Sequence, residues 1–505
     1  MNNSLKNSLT SLPFIKTIQD ISLDLRMKVY LVGGIIRDSI PLIESVRGRG
    51  RESGAGSLDL DFAVDGDALL FGKKAGDAVK GSYFPLDKER SVSRVVVKKP
   101  EARSQKPEVN KEIILDFSRI RGEEIEDDLK HRDFTINSIA VSLSNLFGGE
   151  NLILIDPTGG IKDIEKGVIR VYDKKALYDD PLRMLRAVRF ESQLCFTIAG
   201  DLGHAIRENS PTIKHSAGER VRDELFKILS CKESHKYIQK LKELRLLKEI
   251  IPEIEAMENI DQGRHHKYPL WDHSLNTIKT IEMLMENLSR VFPEKYLQIE
   301  DMLSDMLEHG IQCREILKLS ALIHDIGKPT AKRVDEYGEV RFINHEKFSV
   351  EIGGRLGERL KLGNNACNAM SSIVRNHMRP LLLSKENKVT NRAIFRFFKD
   401  TRRAGVFVCL LSIADIHATR GSGIFDDTAA DIEGLVRRMI DFYLDDFVKQ
   451  VDSPLLSGDE VMERLGLKSG PDIGEILKEI EDRRAEGIIS NKEEAINFIT
   501  RFRRK

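Results

Sequence analysis

The sequence predicts an α+β chain: an N-terminal domain built on a small mixed sheet, followed by helices almost to the C-terminus. Three observations lead there. Up to about residue 145, short β-branched or apolar runs (KVYLVGG, LDLDFAV, SRVVV, EIILDF) alternate with turn-rich connectors. From about 165 the apolar spacing turns helical, as in PLRMLRAVRFESQL and GERVRDELFKILS, and stays so. Finally, 505 residues suffice for about three domains of ~150 residues, so a large core forms without disulfide staples.

Composition narrows the function classes. The 80 basic and 80 acidic side chains cancel, which excludes a histone-like or polybasic-tail binder; any polyanion must meet a local basic patch. The longest apolar run, Val406 to Ala414, falls well short of the ~20 residues that span a bilayer, so no membrane is expected. The start MNNSLKNSLTSLPF has no signal-peptide pattern, and the expected compartment is the cytoplasm. Cys195, Cys231, Cys313, Cys367 and Cys409 are widely spaced with no C-x-x-C pair, and read as buried, reduced apolar residues.

In chain order, the strand KVYLVGG runs into IIRDS. Gly33 and Gly34 thus sit at a strand-to-helix turn where backbone can approach a ligand, with Arg37 and Asp38 one helical turn on. The stretches 46–57 (VRGRGRESGAGS) and 98–111 (KKPEARSQKPEVNK) read as surface loops. In LDLDF, Asp59 and Asp61 are two residues apart in an extended segment, so both carboxylates point to one face. Like charges there are unfavourable unless something positive sits between them, and a divalent metal such as magnesium with a bound nucleoside triphosphate supplies that charge. Asp116, in IILDFSR, either completes the acidic set or pairs with Arg119 or Arg121.

Boundaries fall near 150, 250 and 430, giving segments 1–150, 151–250, 251–430 and 431–505. Residues 1–150 hold 23 basic and 23 acidic side chains, whereas 151–250 hold 19 and 15. The second segment is the basic one. Within it Arg183, Arg186 and Arg189 recur every three residues, roughly along one helical face.

Six motifs stand in a fixed order: GG-x-x-RD (33–38), the DxD of LDLDF, RDFTIN (132–137), DPTGG (156–160), DDPLRMLRAVRF (179–190) and GERVRDELFKIL (218–229). The set resembles class II tRNA nucleotidyltransferases and bacterial poly(A) polymerases over roughly 28–230. The resemblance implies a polymerase β-type head over 1–150 and a helical neck over 151–250 that binds the base and the RNA. Asp59 and Asp61 would hold magnesium, with Asp116 as the third catalytic carboxylate. Gly33, Gly34, Arg37 and Asp38 would cradle phosphates, and Arg132, Asp133 and Asn137 would line the sugar and phosphate side. Asp180 and Arg183 would read cytosine or adenine by hydrogen bonds in place of a template, with Arg186 and Arg189 at phosphate or supporting positions, and Arg220 on the RNA. The expected partners are the 3′ end of tRNA and CTP and/or ATP. Only GEEIEDDLKH separates Arg121 from Arg132, a short segment that resembles enzymes adding CC rather than the whole CCA end.

Most of the 12 histidines lie between 265 and 417. His273 in WDHSLNT, His324 and Asp325 in LIHDIGK, and Asp415 in IADIHA follow the order H…HD…D in apolar helical surroundings, a poor pattern for mere packing. They resemble HD-domain phosphohydrolases over 251–430. His345 and His377 fall where two-metal members have extra ligands, and Lys328 where a phosphate would be paired. This implies a divalent metal and hydrolysis of phosphomonoesters or cyclic phosphodiesters. The tail, 431–505, resembles a tRNA-contacting segment. Two other readings are open: a poly(A) polymerase, or an HD hydrolase with an RNA-binding head.

Overall fold

The computed structural model describes residues 2–40, 58–98, 112–148, 151–263, 266–421 and 429–502. The loops read at 46–57 and 98–111 thus lie largely outside the described residues, as do residues 503–505 of the basic C-terminus. Two compact units form, 1–232 with 240–249, and 233–239 with 250–505.

Unit 1 carries a six-stranded sheet of order β3-β4-β5-β2-β1-β6. The strands are β1 (Val29–Val32), β2 (Leu58–Val64), β3 (Ser82–Asp87), β4 (Val92–Lys98), β5 (Glu112–Arg119) and β6 (Ala140–Ser142). Only β2 and β5 pair in parallel; all other neighbours run antiparallel. Four strands match the sequence reading, and β3 and β6 are additions. Both were hidden for physical reasons: β3 contains Pro85 and lies mostly exposed at the sheet edge, and β6 is only three residues long.

Helix α1 (Gly34–Ser39) leaves β1 through Gly33, and α2 (Ala68–Val79) starts at Asp67, whose carboxylate accepts the Leu69 and Leu70 N–H groups. α2 buries Phe71 against Phe117, which stacks on Phe62 with ring centroids 5.1 Å apart. In α3 (Ile125–Lys130), Ile125 and Leu129 join the cluster of Tyr30, Val32 and Ala63 on the sheet. The helices α4 (Arg183–Leu194) and α5 (Gly218–Leu229) follow in the basic segment.

Unit 2 is helical, with short two-stranded pairs. Its principal helices are α6 (Leu270–Glu286), α7 (Cys313–Ile323), α8 (His345–Arg359), α9 (Asn364–Asn376) and α10 (Ala404–Arg420). The apolar run of the sequence is the buried middle of α10. No described helix is long and apolar enough to cross a membrane. Three tail helices, Gly458–Leu465, Pro471–Ala485 and Lys492–Phe502, bury Val461, Ile473, Ile480, Ala495 and Ile499 in a small core. Arg392 and Arg396 both pair with the buried Asp482.

The five cysteines are free, but not uniformly buried. Cys313 and Cys409 are; Cys195 is exposed because it ends α4 in a left-handed turn, with φ +56°.

Candidate active sites

In unit 1 the period of two brings the acids together. Asp61 on β2 stands in register with Asp116 on β5, and with Val32 at the end of β1. Asp59 is two residues earlier on the same strand. Gly33 has φ +81°, and a Cβ there would lie 3.0 Å from Asp61 Oδ2, so the turn meets the carboxylate as only glycine can. Burial first, then the neighbouring charges of Asp116 and Asp59 against that of Arg132, hold the Asp61 pKa up at about 6. Three carboxylates gathered on neighbouring strands, with Asp61 buried among them, suit a divalent cation with oxygen ligands.

Asp116 does not pair with Arg119 or Arg121. Arg94, opposite it on β4, grips it with two bonds of 2.8 Å. The sequence signal was a lone arginine inside the apolar run SVSRVVV.

A partly buried ladder of hydrogen bonds links Asp38 to Arg186. Arg37 donates to Asp38 at 2.9 Å and to Asn137 Oδ1 at 2.5 Å; Asn137 donates to Asp133 at 3.1 Å; Arg186 Nε donates to Asp133 at 3.0 Å. Burial raises the Asp133 pKa, but Arg186, Asn137 and the Phe134 N–H outweigh it and bring it to about 2. Three guanidinium groups, of Arg37, Arg186 and Arg189, lie 5.2, 5.6 and 4.4 Å from the Phe190 ring centroid.

Arg37 is thus committed inside the protein, 7% exposed, rather than open to a phosphate. Arg189 likewise pairs with the buried Glu224 at 3.2 Å. Arg132 pairs with Asp128 at 3.0 Å, and Arg220 pairs with Asp180 at 2.8 Å. The Arg183 guanidinium donates to the carbonyls of Ala176 and His131 at 3.3 and 3.1 Å.

A cleft of about 870 Å³ opens in unit 1. Arg132, Asp133, Asp180, Arg183 and Arg186 line it, together with Arg90, Arg119, Arg121 and His131. Arg119 and Arg121 have no ion-pair partner among the described residues. Gly33, Asp59 and Asp61 do not line this cleft.

In unit 2 the HD residues converge from five helices. His273 comes from α6, His324 and Asp325 from the end of α7, His345 from the start of α8, His377 from the end of α9 and Asp415 from α10. His273 Nε2 lies 3.0 Å from Asp415 and 3.3 Å from His324 Nε2; His345 Nε2 lies 3.3 Å from His377 Nε2. Asp325 stands between the two groups. Its Oδ2 is 3.2 Å from His324 and 3.5 Å from His273, while its Oδ1 is 3.0 Å from His345 and 3.6 Å from His377. Backbone carbonyls of Ala321, Phe342 and Val374 take the Nδ1 atoms of His324, His345 and His377 at 2.8–2.9 Å, which turns each Nε2 inward. Two sets, His273/His324/Asp415 and His324/Asp325/His377, offer ligand atoms within 4.8 Å of one another. Burial opposes a charge on His324, yet Asp325 and Asp415 raise its pKa to about 10, whereas burial lowers that of His273 beside it.

The turn after the HD pair is close-packed: a Cβ on Gly327 would sit 2.4 Å from the His345 carbonyl. Lys328 Nζ reaches Asp325 at 2.6 Å and Gln262 at 2.7 Å. His266, which the sequence reading passed over, stacks edge-on to His273 with centroids 5.4 Å apart. Its signal was the His265–His266 doublet seven residues upstream.

A head with in-register strand carboxylates beside a glycine turn, and a helical unit with an HD ligand cluster, define a nucleotidyltransferase joined to an HD domain. The family described as “Poly A polymerase head domain” matches residues 29–170, “Probable RNA and SrmB- binding site of polymerase A” matches 195–258, and “HD domain” matches 270–419. An A-adding tRNA nucleotidyltransferase of Deinococcus radiodurans is 30% identical over 94% of this chain and 95% of its own. A CC-adding tRNA nucleotidyltransferase of Thermus thermophilus is 29% identical over 94% and 93%. Among solved structures, the Thermotoga maritima CCA-adding enzyme complexed with tRNA has a TM-score of 0.59 at 22% identity, covering 97% of this chain and 94% of that one. A CCA-adding enzyme with ATP reaches 0.64 at 20%, covering 100% and 98%. The chain belongs to the tRNA nucleotidyltransferase family.

Proposed function

We propose that unit 1 adds C and/or A to the 3′ end of tRNA without a template, using CTP and/or ATP, in the cytoplasm. The observation that carries this is the register of Asp61 with Asp116 beside the Gly33 turn. Asp59 and Asp61 would hold magnesium, which when bound lowers the pKa of the attacking 3′-hydroxyl and offsets the triphosphate charge. Asp133 fixes Arg186 at the cleft, Arg119 and Arg121 offer guanidinium groups to phosphates, and Asp180 with Arg183 reads the base. The head (1–150), neck (151–250), HD domain (251–430) and tail (431–505) are the working parts of this reading.

The short segment between Arg121 and Arg132 favours C addition without a switch to ATP. It is folded rather than loose: α3 buries Ile125 and Leu129, and Asp128 takes both the Arg121 N–H and Arg132. The test supplies one labelled nucleotide at a time to tRNA transcripts ending before CCA, after C and after CC. Extension that stops after CC supports C addition; extension of the CC transcript with ATP supports A addition. Long A tails would replace the reading with a poly(A) polymerase, and no extension on any transcript with magnesium present would overturn it.

A second activity is favoured by the placement of Asp325 between two histidine pairs. His273, His324, Asp325 and Asp415 would hold one divalent ion, and Asp325, His345 and His377 a second. An ion in this site supplies a hydroxide at neutral pH for phosphoester hydrolysis. Release of phosphate from monoesters, or opening of 2′,3′-cyclic nucleotides, measured across several divalent metals, tests it.

A further inference from the structure

We propose that Arg220 is a positioning residue for nucleotide choice: it holds one oxygen of Asp180 so that the carboxylate presents a fixed face to the incoming base. The proposal rests on the reading of Asp180 and Arg183 as the base-reading pair.

Arg220 stands in the first turn of α5, and its Nη2 donates to Asp180 Oδ2 at 2.8 Å. The other oxygen, Oδ1, accepts the Leu182 N–H at 3.2 Å. The carboxylate is therefore tethered at both oxygens. With roughly four acceptor directions on a carboxylate, it still has room for a ligand donor. Asp180 lines the cleft, and Arg220 does not. No other guanidinium pairs with Asp180 among the described residues, since Arg186 is taken by Asp133 and Arg183 by two carbonyls.

This arrangement suits a discrimination of amine from carbonyl. Cytosine and adenine carry an exocyclic amine beside a ring acceptor; uracil and guanine carry an oxygen at that place. A tethered carboxylate accepts from the amine and repels the oxygen. One that is free to turn swings aside, and the repulsion, which is the selective element, disappears. The Asp180–Arg220 pair is also half in water, with side chains 30% and 54% exposed, so its worth lies in orientation more than in stability.

The experiment uses the full chain, a tRNA transcript lacking its CCA end, and each of the four nucleotides separately. Arg220→Ala is expected to lower the ratio of kcat/KM for CTP over UTP (or ATP over GTP, whichever base the enzyme adds) by about tenfold or more, with the KM for tRNA unchanged. Arg220→Lys, which keeps the charge, restores part of the ratio. An unchanged ratio with a raised KM for tRNA would make Arg220 an RNA contact and overturn the proposal; so would an equal loss for all four nucleotides. Arg220→Gln serves the same comparison if the alanine variant does not fold. Asp180→Ala separates the underlying reading: if it leaves the ratio intact, Asp180 does not read the base and the proposal falls with it.

Discussion

Arg186 Nε donates to Asp133 Oδ2 at 3.0 Å across 53 residues of sequence, joining the RDFTIN segment to α4. Asp133 also accepts from Asn137 and from the Phe134 N–H, so its carboxylate is satisfied only while ionised. Its pKa of about 2 lies below that of the unfolded chain, so its contribution is complete above about pH 4 and is lost as pH falls through about 2. Asp133→Asn should cost unit 1 roughly 2 kcal/mol at pH 7. The difference from the parent should vanish toward pH 2, as followed by urea unfolding across that range.

Gly33 and Gly34 make a contrast within one dipeptide. At Gly33 a methyl group meets Asp61 Oδ2 at 3.0 Å with φ +81°; at Gly34 it meets the Arg37 guanidinium at an ordinary contact distance of 3.4 Å, with no positive φ. Gly33→Ala should lower kcat for nucleotide addition about a hundredfold by displacing the carboxylate, while Gly34→Ala changes it little. Single-turnover extension of a tRNA transcript measures both.

The two sites should fail independently. Asp59→Asn and Asp61→Asn are expected to reduce nucleotide addition by about a thousandfold or more while leaving phosphoester hydrolysis intact. His324→Ala with Asp325→Ala should do the reverse. If either pair removed both activities, the assignment of one reaction to each unit would be wrong.

Metal content gives a sharper test of unit 2. His377→Ala should lose one ion and keep the other, whereas Asp325→Ala, whose two oxygens serve both histidine pairs, should lose both. Elemental analysis after dialysis against each divalent metal reads the count. Chelation should also lower the unfolding temperature of unit 2 in the parent protein and less so in Asp325→Ala.

The acids of β2 were legible because side chains alternate along a strand: LDLDF fixes the face shared by Asp59 and Asp61 without any knowledge of neighbours. Their partner was not. Whether Asp116 meets Arg94, Arg119 or Arg121 depends on which strand lies beside β5, and β4 is antiparallel to it with Arg94 opposite. The same holds in unit 2. Histidines in apolar helical runs announce a ligand set, but that Asp325 stands between His273/His324 and His345/His377 follows from five helices converging over more than a hundred residues. Sequence spacing shows which charged side chains share a face or a helical run, but not which of them the chain pairs with one another. Arg37, Arg189 and Arg220 looked available to phosphate or RNA, and each is engaged by an acid or amide of the same unit.

The seven residues 233–239, which belong to unit 2 but interrupt the sequence of unit 1 near its end, have a consequence for severing the chain. Ser234 and His235 deliver three hydrogen bonds, of 2.6–2.7 Å, to the carboxylate of Glu282 on α6, which also pairs with Lys318 at 3.0 Å. Burial opposes the charge on Glu282, and these partners bring its pKa to about 2. A cut at 250 would therefore leave an ionised carboxylate 9% exposed with Lys318 as its remaining partner. The polypeptide crosses between units three times, and the HD half is not a detachable cassette: a fragment that keeps these bonds has to begin no later than Glu233, carrying residues 240–249 of the other unit with it.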